Sequence, residues 1–267
     1  MSSIKELSNL SGRCALITGA TGGLGKIFAH TLAELGAELV LVDRPGTDFE
    51  ALTLELVHGW GVGVDSYYCD FEKQEQRTKL ITKLKSSGKG LDILVNNAAF
   101  VGNSELPGWG VPFEEQSIET WRRAFEVNLT GVFDLCQGLL PILKESNGAS
   151  IVNIASIYGM YGPDWSLYQG TSMSNPAAYS ASKGGLIQLT RWLATTIAPE
   201  VRVNAISPGG ILRNQPGEFV KRYESKTPLA RMATEDDFRG ILGYLASDLS
   251  KYVTGQVFQV DGGWGTW

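Results

Sequence analysis

Residues 14–36 read CALITGATGGLGKIFAHTLAELG. Residues 14–18 form a short, largely apolar run that passes straight into Gly19, Gly22, Gly23 and Gly25. Beyond them, apolar side chains recur at Leu24, Ile27, Phe28, Leu32 and Leu35, which predicts a helix over 24–35 closed by Gly36. A strand that turns through glycine into a helix lets backbone approach a pyrophosphate, and the helix start offers free N–H groups and a partial positive charge. The turn is therefore read as a dinucleotide cradle, although such glycine spacing also occurs in turns that bind nothing. A second apolar run, 39–43, ends at Asp43. A carboxylate there can accept hydrogen bonds from both hydroxyls of an adenosine ribose and repels a 2′-phosphate, which favours NAD over NADP. Arg44 beside it leaves some use of NADP open.

Outward from this unit, apolar runs at 66–70, 93–97, 150–154, 202–206 and 257–260 alternate with segments of helical periodicity, of which 179–197 is the clearest. Near-continuous apolar strands are those covered on both faces. The expected fold is α/β: a single-domain, Rossmann-type, doubly wound, seven-stranded parallel sheet flanked by helices, with residues 1–267 as one unit. No repeat or Pro/Ser-rich linker marks a boundary. Stretches 100–116 and 159–176 break the rhythm with Gly, Pro, Ser and aromatic residues, and enlarged loops of this kind commonly line sites.

Composition narrows the function. The chain is 43% hydrophobic and 19% charged, enough for a core and unlike a disordered segment. A net charge of −5 without a basic run excludes a nucleic-acid partner. No stretch reaches the ~18–20 apolar residues of a membrane span, and the N-terminus lacks the layout of a secretory signal, so a cytoplasmic location is expected. Cys14, Cys69 and Cys136 lie too far apart for a zinc pair and suggest free thiols, and with only two histidines no metal is expected. Acid–base chemistry must then come from elsewhere. Tyr179 and Lys183 stand four residues apart on one predicted helix face, where an ammonium favours a phenolate and draws the tyrosine from ~10 toward working pH. In isolation such a pair is more often a surface contact.

The spacing Thr18-Gly19-Ala20-Thr21-Gly22-Gly23-Leu24-Gly25 differs from the commoner Gly-x-Gly-x-x-Gly. Together with Asp70, Asn96-Asn97-Ala98-Ala99, Asn128, Ser156, Tyr179-Ser-Ala-Ser-Lys183, Asn204-Ala-Ile-Ser-Pro208-Gly209 and Val260-Asp-Gly-Gly263, it resembles the classical short-chain dehydrogenase/reductase family over nearly the whole chain. The resemblance implies an NAD(P)-dependent oxidoreductase that interconverts an alcohol and a ketone by hydride transfer. It implies Tyr179 as general acid/base, Ser156 hydrogen-bonded to the reacting oxygen, Lys183 binding the nicotinamide ribose, and Asn128 holding a water toward Lys183. Cofactor contacts are implied at Gly19, Thr21, Gly23, Leu24, Gly25, Asp43, Asp70, Phe71, Asn97, Ala98, Tyr179, Lys183, Pro208, Gly209 and Ile211. A small-molecule substrate and a homo-oligomer, tetramer or dimer, are further implications.

Two departures matter. Where the family often has a threonine after Pro-Gly, this chain reads Gly210-Ile211-Leu212-Arg213-Asn214, so that role is not transferred; Arg213 could meet an anion or simply be exposed. Ser156 and Tyr179 are also unusually far apart, which places Tyr158, Tyr161, Trp165 and Tyr168 near the reacting centre. Aromatic faces among short polar side chains suit a sugar or sugar derivative, while a loop packed on its own aromatics is an equal reading. Alternatives are an NADPH-dependent 3-oxoacyl-thioester reductase and, from another class, a catalytically inactive nucleotide-sensing module.

Overall fold

A computed structural model describes residues 1–102 and 106–267, so positions 103–105 of the 100–116 loop lie outside the described residues. Strands β1 (Cys14–Thr18), β2 (Glu38–Asp43), β3 (Val64–Tyr68), β4 (Ile93–Asn96), β5 (Ala149–Ile154), β6 (Val201–Pro208) and β7 (Val257–Val260) form one sheet in the order β3-β2-β1-β4-β5-β6-β7. Every pairing is parallel. The expected doubly wound, seven-stranded arrangement is what the chain adopts. One strand is displaced: the run at 66–70 pairs instead as Val64–Tyr68, with Asp43 opposite Tyr68, leaving Cys69 and Asp70 beyond the strand. An edge strand needs only one apolar face, and the polar Asp65 and Ser66 interrupt the continuous apolar run that marks a strand covered on both sides.

The helices are α1 (Ile4–Ser8), α2 (Gly23–Glu34), α3 (Glu50–Trp60), α4 (Gln74–Ser86), α5 (Ile118–Phe125), α6 (Gly131–Lys144), α7 (Ala177–Thr196), α8 (Gly217–Lys226) and α9 (Arg239–Ala246). Pleating sends alternate strand residues to opposite faces. Ile17, Leu41 and Val95 meet Phe28 and Leu32 of α2, Leu56 of α3 and Leu242 of α9 on one side. Leu16, Val40, Leu94 and Ile151 meet Leu80 of α4, Leu139 of α6 and Leu186 and Leu193 of α7 on the other. Each such side chain is buried, and burial contributes ~1.5–3 kcal/mol apiece.

Strand order reverses at β1, which lies between β2 and β4, so the chains leaving β1 and β4 part and open a crevice at their C-terminal ends. Between α5 and α6 the chain widens into a π-helical turn, Glu126–Thr130, of a kind often found at functional sites. Buried Arg77 of α4 ties this turn down: it reaches Glu126 at 2.7 Å, Asp134 of α6 at 2.6 Å and the Phe71 carbonyl at 2.5 Å. Arg77→Ala strands two carboxylates that still touch solvent, and is expected to lower stability by ~2–3 kcal/mol in a urea titration. A midpoint equal to wild type would show that the network contributes nothing.

Candidate active site

The glycine turn is shaped by contacts that leave no room for side chains. Gly19 has a positive φ of 63°, and a Cβ on Gly25 would stand 2.0 Å from the Gly19 carbonyl oxygen. Helix α2 consequently begins directly over the end of β1, and its N-cap, Gly22, supplies no side chain to the first-turn N–H groups. The Thr18 hydroxyl accepts from the backbone N–H of Asn97 (3.0 Å) and of Ala98 (2.9 Å), while the Asn97 amide donates to the carbonyls of Thr18 (2.9 Å) and Gly19 (3.0 Å). These bonds lock the segment after β4 onto the turn. Asp43 is fixed in turn: one oxygen accepts from Thr21 N (2.9 Å) and Thr21 Oγ1 (2.7 Å), and the other from Arg44 N (2.8 Å).

A cleft of about 820 Å³ runs along this crevice. Its walls include Gly19, Thr21, Gly23, Leu24 and Gly25 of the turn, Asp43 at one end, Asp70 and Phe71 after β3, and Asn97 and Ala98 after β4. Ser156, Tyr179 and Lys183 stand at the other end with Pro208, Gly209 and Ile211. Thus every position expected to meet the cofactor borders one continuous space. A nicotinamide dinucleotide fits these residues: an uncapped helix start and side-chain-free glycines suit its diphosphate, and the Asp43 carboxylate suits a ribose diol.

Asn128 does not border the cleft. It sits buried in the π turn, where its Oδ1 accepts from Phe100 N (2.6 Å) and its Nδ2 donates to Ser182 Oγ (2.9 Å) and the Phe100 carbonyl (3.3 Å). It therefore joins the segment after β4 to α7. Lys183 is also buried, and its ammonium donates to the Ile154 carbonyl at 2.7 Å. Desolvation pulls its pKa down to about 8. The expected depression of the tyrosine is not what this arrangement gives. Lys183 Nζ lies 5.8 Å from the Tyr179 ring centroid, and burial pushes the phenol upward, opposed by the Ser156 hydroxyl and, more weakly, by Arg213. The hydroxyl of Ser156 accepts from Tyr158 N at 3.2 Å, which orients it at the start of a short 3₁₀ turn.

The aromatics of the 159–176 loop do not line the cleft. Tyr158 and Tyr168 share a hydroxyl contact of 2.5 Å, Tyr168 packs edge-on against Phe219 of α8, and Tyr161 bonds the Gly265 carbonyl at 3.0 Å. Lys226 of α8 grips Asp164 and Ser166, and Arg222 grips the carbonyls of Leu167 and Gln169. The loop is thus packed on its own aromatics, α8 and the C-terminal tail; among its aromatics only Trp165 is exposed, at 54%. It borders a second cavity of about 590 Å³ between the two enlarged loops, with Gln116, Thr171, Ser172, Asn175 and Ser180. Sequence reasoning also missed Glu235, which pairs with Arg213 at 3.1 Å over Gly23; no local pattern marks a partner 22 residues away.

The sequence profile of the family described as Enoyl-(Acyl carrier protein) reductase matches residues 19–265. The chain is 33% identical to the 3-oxoacyl-[acyl-carrier-protein] reductase FabG of Thermotoga maritima, an alignment covering 95% of this chain and 98% of that one. Among solved structures, a short-chain dehydrogenase from Leptospira borgpetersenii with bound NAD+ superposes with a TM-score of 0.83 at 30% identity, over 99% of this chain and 96% of that one. A gluconate 5-dehydrogenase from Burkholderia cenocepacia in complex with NADP and tartrate superposes with a TM-score of 0.84 at 27% identity, over 99% and 100% of the two chains.

The buried lysine has a measurable signature. Its folded-state pKa of about 8 lies below the 10.5 of an open chain, so below pH 8 the fold bears the full cost of a desolvated ammonium. Between pH 8 and 10.5 the unfolded chain holds the extra proton, and this contribution to stability rises with pH. The thermal midpoint of wild type relative to Lys183→Met should therefore climb from pH 7.5 to 10. The raised thiols of Cys14, Cys69 and Cys136 oppose the trend equally in both proteins and cancel. A constant difference would mean that Lys183 is not desolvated.

Proposed function

The chain belongs to the short-chain dehydrogenase/reductase family, and from that premise we propose that it is an NAD(H)-dependent oxidoreductase acting on a secondary alcohol or its ketone. The observation that carries the proposal is the meeting of Ser156, Tyr179 and Lys183 at one end of a cleft whose other end is the glycine turn and Asp43. Bound nicotinamide supplies a hydride for reduction and takes one up in oxidation. Tyr179 takes the proton from the substrate hydroxyl in oxidation and returns it to the oxygen in reduction. Ser156 donates to the same oxygen and shares its developing charge. Lys183 holds a cation next to the phenol and binds the cofactor ribose, while Asn128 sets the position of α7. With Lys183 at about 8, small changes in its surroundings switch that cation within the working range.

NAD is preferred to NADP because Asp43 is held by Thr21 at the strand end, where a 2′-phosphate would meet a fixed negative charge. The substrate is read as a sugar or sugar derivative. Support comes from the Gln116, Asn175 and Ser180 side chains set in the mostly apolar lining of the 590 Å³ cavity beside the exposed face of Trp165, and from the resemblance to a gluconate 5-dehydrogenase. The relative named as a 3-oxoacyl-[acyl-carrier-protein] reductase favours a second reading, reduction of an acyl thioester with NADPH. The whole chain acts as one catalytic unit and associates with copies of itself, since α5, α6 and α7 expose Trp121, Phe133 and Trp192. The three unpaired thiols support a reducing, cytoplasmic setting.

Tyr179→Phe is expected to lower kcat by ~10²–10⁴-fold with NADH binding retained in a fluorescence titration; activity at the wild-type level would remove the proposed proton transfer. Polyols and sugar acids should outperform acetoacetyl thioesters, and NAD should outperform NADP in kcat/KM. The opposite order on both counts selects the thioester reductase. Light scattering should give the mass of a dimer or tetramer, and a monomer would remove the self-association.

A further inference from the structure

Arg213 stands where the family's threonine is missing, and its surroundings in the fold are specific. The segment that carries it is pinned: Leu212 N donates to the Ala233 carbonyl at 2.8 Å, Ala233 N donates to the Gly210 carbonyl at 2.9 Å, and Arg213 N donates to the Gln215 side chain at 2.7 Å. Gln215 in turn donates back to the Ile211 carbonyl at 2.7 Å. The backbone is thus fixed, while the guanidinium, on a side chain 53% exposed, is held by its pairing with Glu235 at 3.1 Å. It lies over the glycine turn, with Nη2 3.0 Å from the point where a Cβ on Gly23 would stand. Its partner, Glu235 Oε1, is 2.7 Å from the same point. Both Arg213 and Gly23 border the cleft.

The start of α2 favours an anion, because Gly22 supplies no side chain to its N–H groups. The Glu235 carboxylate now stands beside that helix start. A diphosphate seated on the turn would lie next to Glu235, a like charge, and next to Arg213, an opposite one. Two part-exposed side chains lose little on separating, since such ion pairs contribute ~0–1 kcal/mol. A planar guanidinium can then pair with phosphate oxygens through two parallel bonds.

We propose that Arg213 is a ligand of the cofactor diphosphate, and that Glu235 holds it at the glycine turn until the diphosphate displaces the carboxylate. The Arg213–Glu235 pair is a latch whose anion is exchanged on binding. This inference rests on the reading of the cleft as a nicotinamide dinucleotide site, and it adds a cation that the glycine motif alone does not provide.

The test is calorimetric binding of ADP and NADH, with adenosine measured by competition, so that turnover is not needed. Arg213→Gln should weaken ADP and NADH by about tenfold or more and leave adenosine unchanged. Arg213→Lys, which keeps the charge and loses the planar fork, should recover part of the loss. Glu235→Gln, which frees Arg213 and removes the competing carboxylate, should tighten ADP severalfold. The weakening of ADP by salt should be shallower in Arg213→Gln than in wild type. Wild-type ADP affinity in Arg213→Gln overturns the proposal, as does an equal loss for adenosine, which would make Arg213 a prop of the pocket. An unchanged or weaker affinity in Glu235→Gln overturns the exchange. A higher KM for an anionic substrate with unchanged ADP binding would assign Arg213 to that substrate instead. Failure of wild type to bind NADH or ADP at all would be a separate result, against the cofactor site itself.

Discussion

Between Gly25 and the carbonyl of Gly19 there is no room for one added carbon, and the upper half of the molecule takes its position from that contact. Because α2 starts on top of the turn, its buried side sets Phe28 and Leu32 directly onto Ile17 and Leu41, while its uncapped end faces the crevice. The same turn presents Thr21 to Asp43 and leaves the Thr18 hydroxyl free to take two N–H groups from the segment after β4. Core packing and cleft shape are therefore not separable here. A residue larger than glycine at position 25 would move the helix, and with it both.

On the other side of the crevice the controlling element is α7. Its Lys183 pays for burial with a lowered pKa, and the helix is kept in place by polar bonds spread along its length: Ser182 to Asn128, Lys183 to the Ile154 carbonyl, and Thr190 to Asn153. Gly159 lies so close that a Cβ there would stand 2.7 Å from the Lys183 carbonyl carbon. Asn153 also accepts from Asn96, so β4, β5 and α7 are linked beneath the cleft by buried amides that a hydrophobic core would not need. Directional bonds fix rotation and depth, which packing alone leaves softer. This is the expected design where a phenol and an ammonium must keep a set separation.

What could be read from the sequence follows from how local each signal is. The β1–α2 unit was legible because glycine spacing, apolar periodicity and Asp43 all lie within thirty residues and agree. The apolar central strands were legible because burial on both faces leaves no polar interruptions, and edge strand β3 was displaced because that rule does not hold at an edge. Tyr179 and Lys183 were legible as a helical pair, but the sign of the tyrosine shift was not. It depends on desolvation by the rest of the chain, which outweighs one ammonium 5.8 Å from the ring. Glu235 was invisible for a related reason: nothing near residue 235 in sequence says that it will stand beside Gly23.

The loop aromatics carry the last step. Spacing placed Tyr158, Tyr161 and Tyr168 near the reacting centre, yet their rings and hydroxyls are spent on one another, on Phe219 and on the tail. Their cluster continues through Tyr223, which stacks on Trp264 at 6.0 Å between centroids and whose hydroxyl accepts Gly210 N–H at 2.6 Å, next to Gly209 of the cleft wall. Enlarged loop, α8, tail and the Gly209–Gly210 segment beside the cleft are thus one packed body, and Gly210 has no space for a side chain because Tyr223 and Met232 stand 2.8 Å from its Cβ position. A change in the loop must then be felt beside the cleft, so Tyr158, Tyr161 and Tyr168 bear on it through packing, while Trp165 alone among these loop aromatics keeps an exposed face.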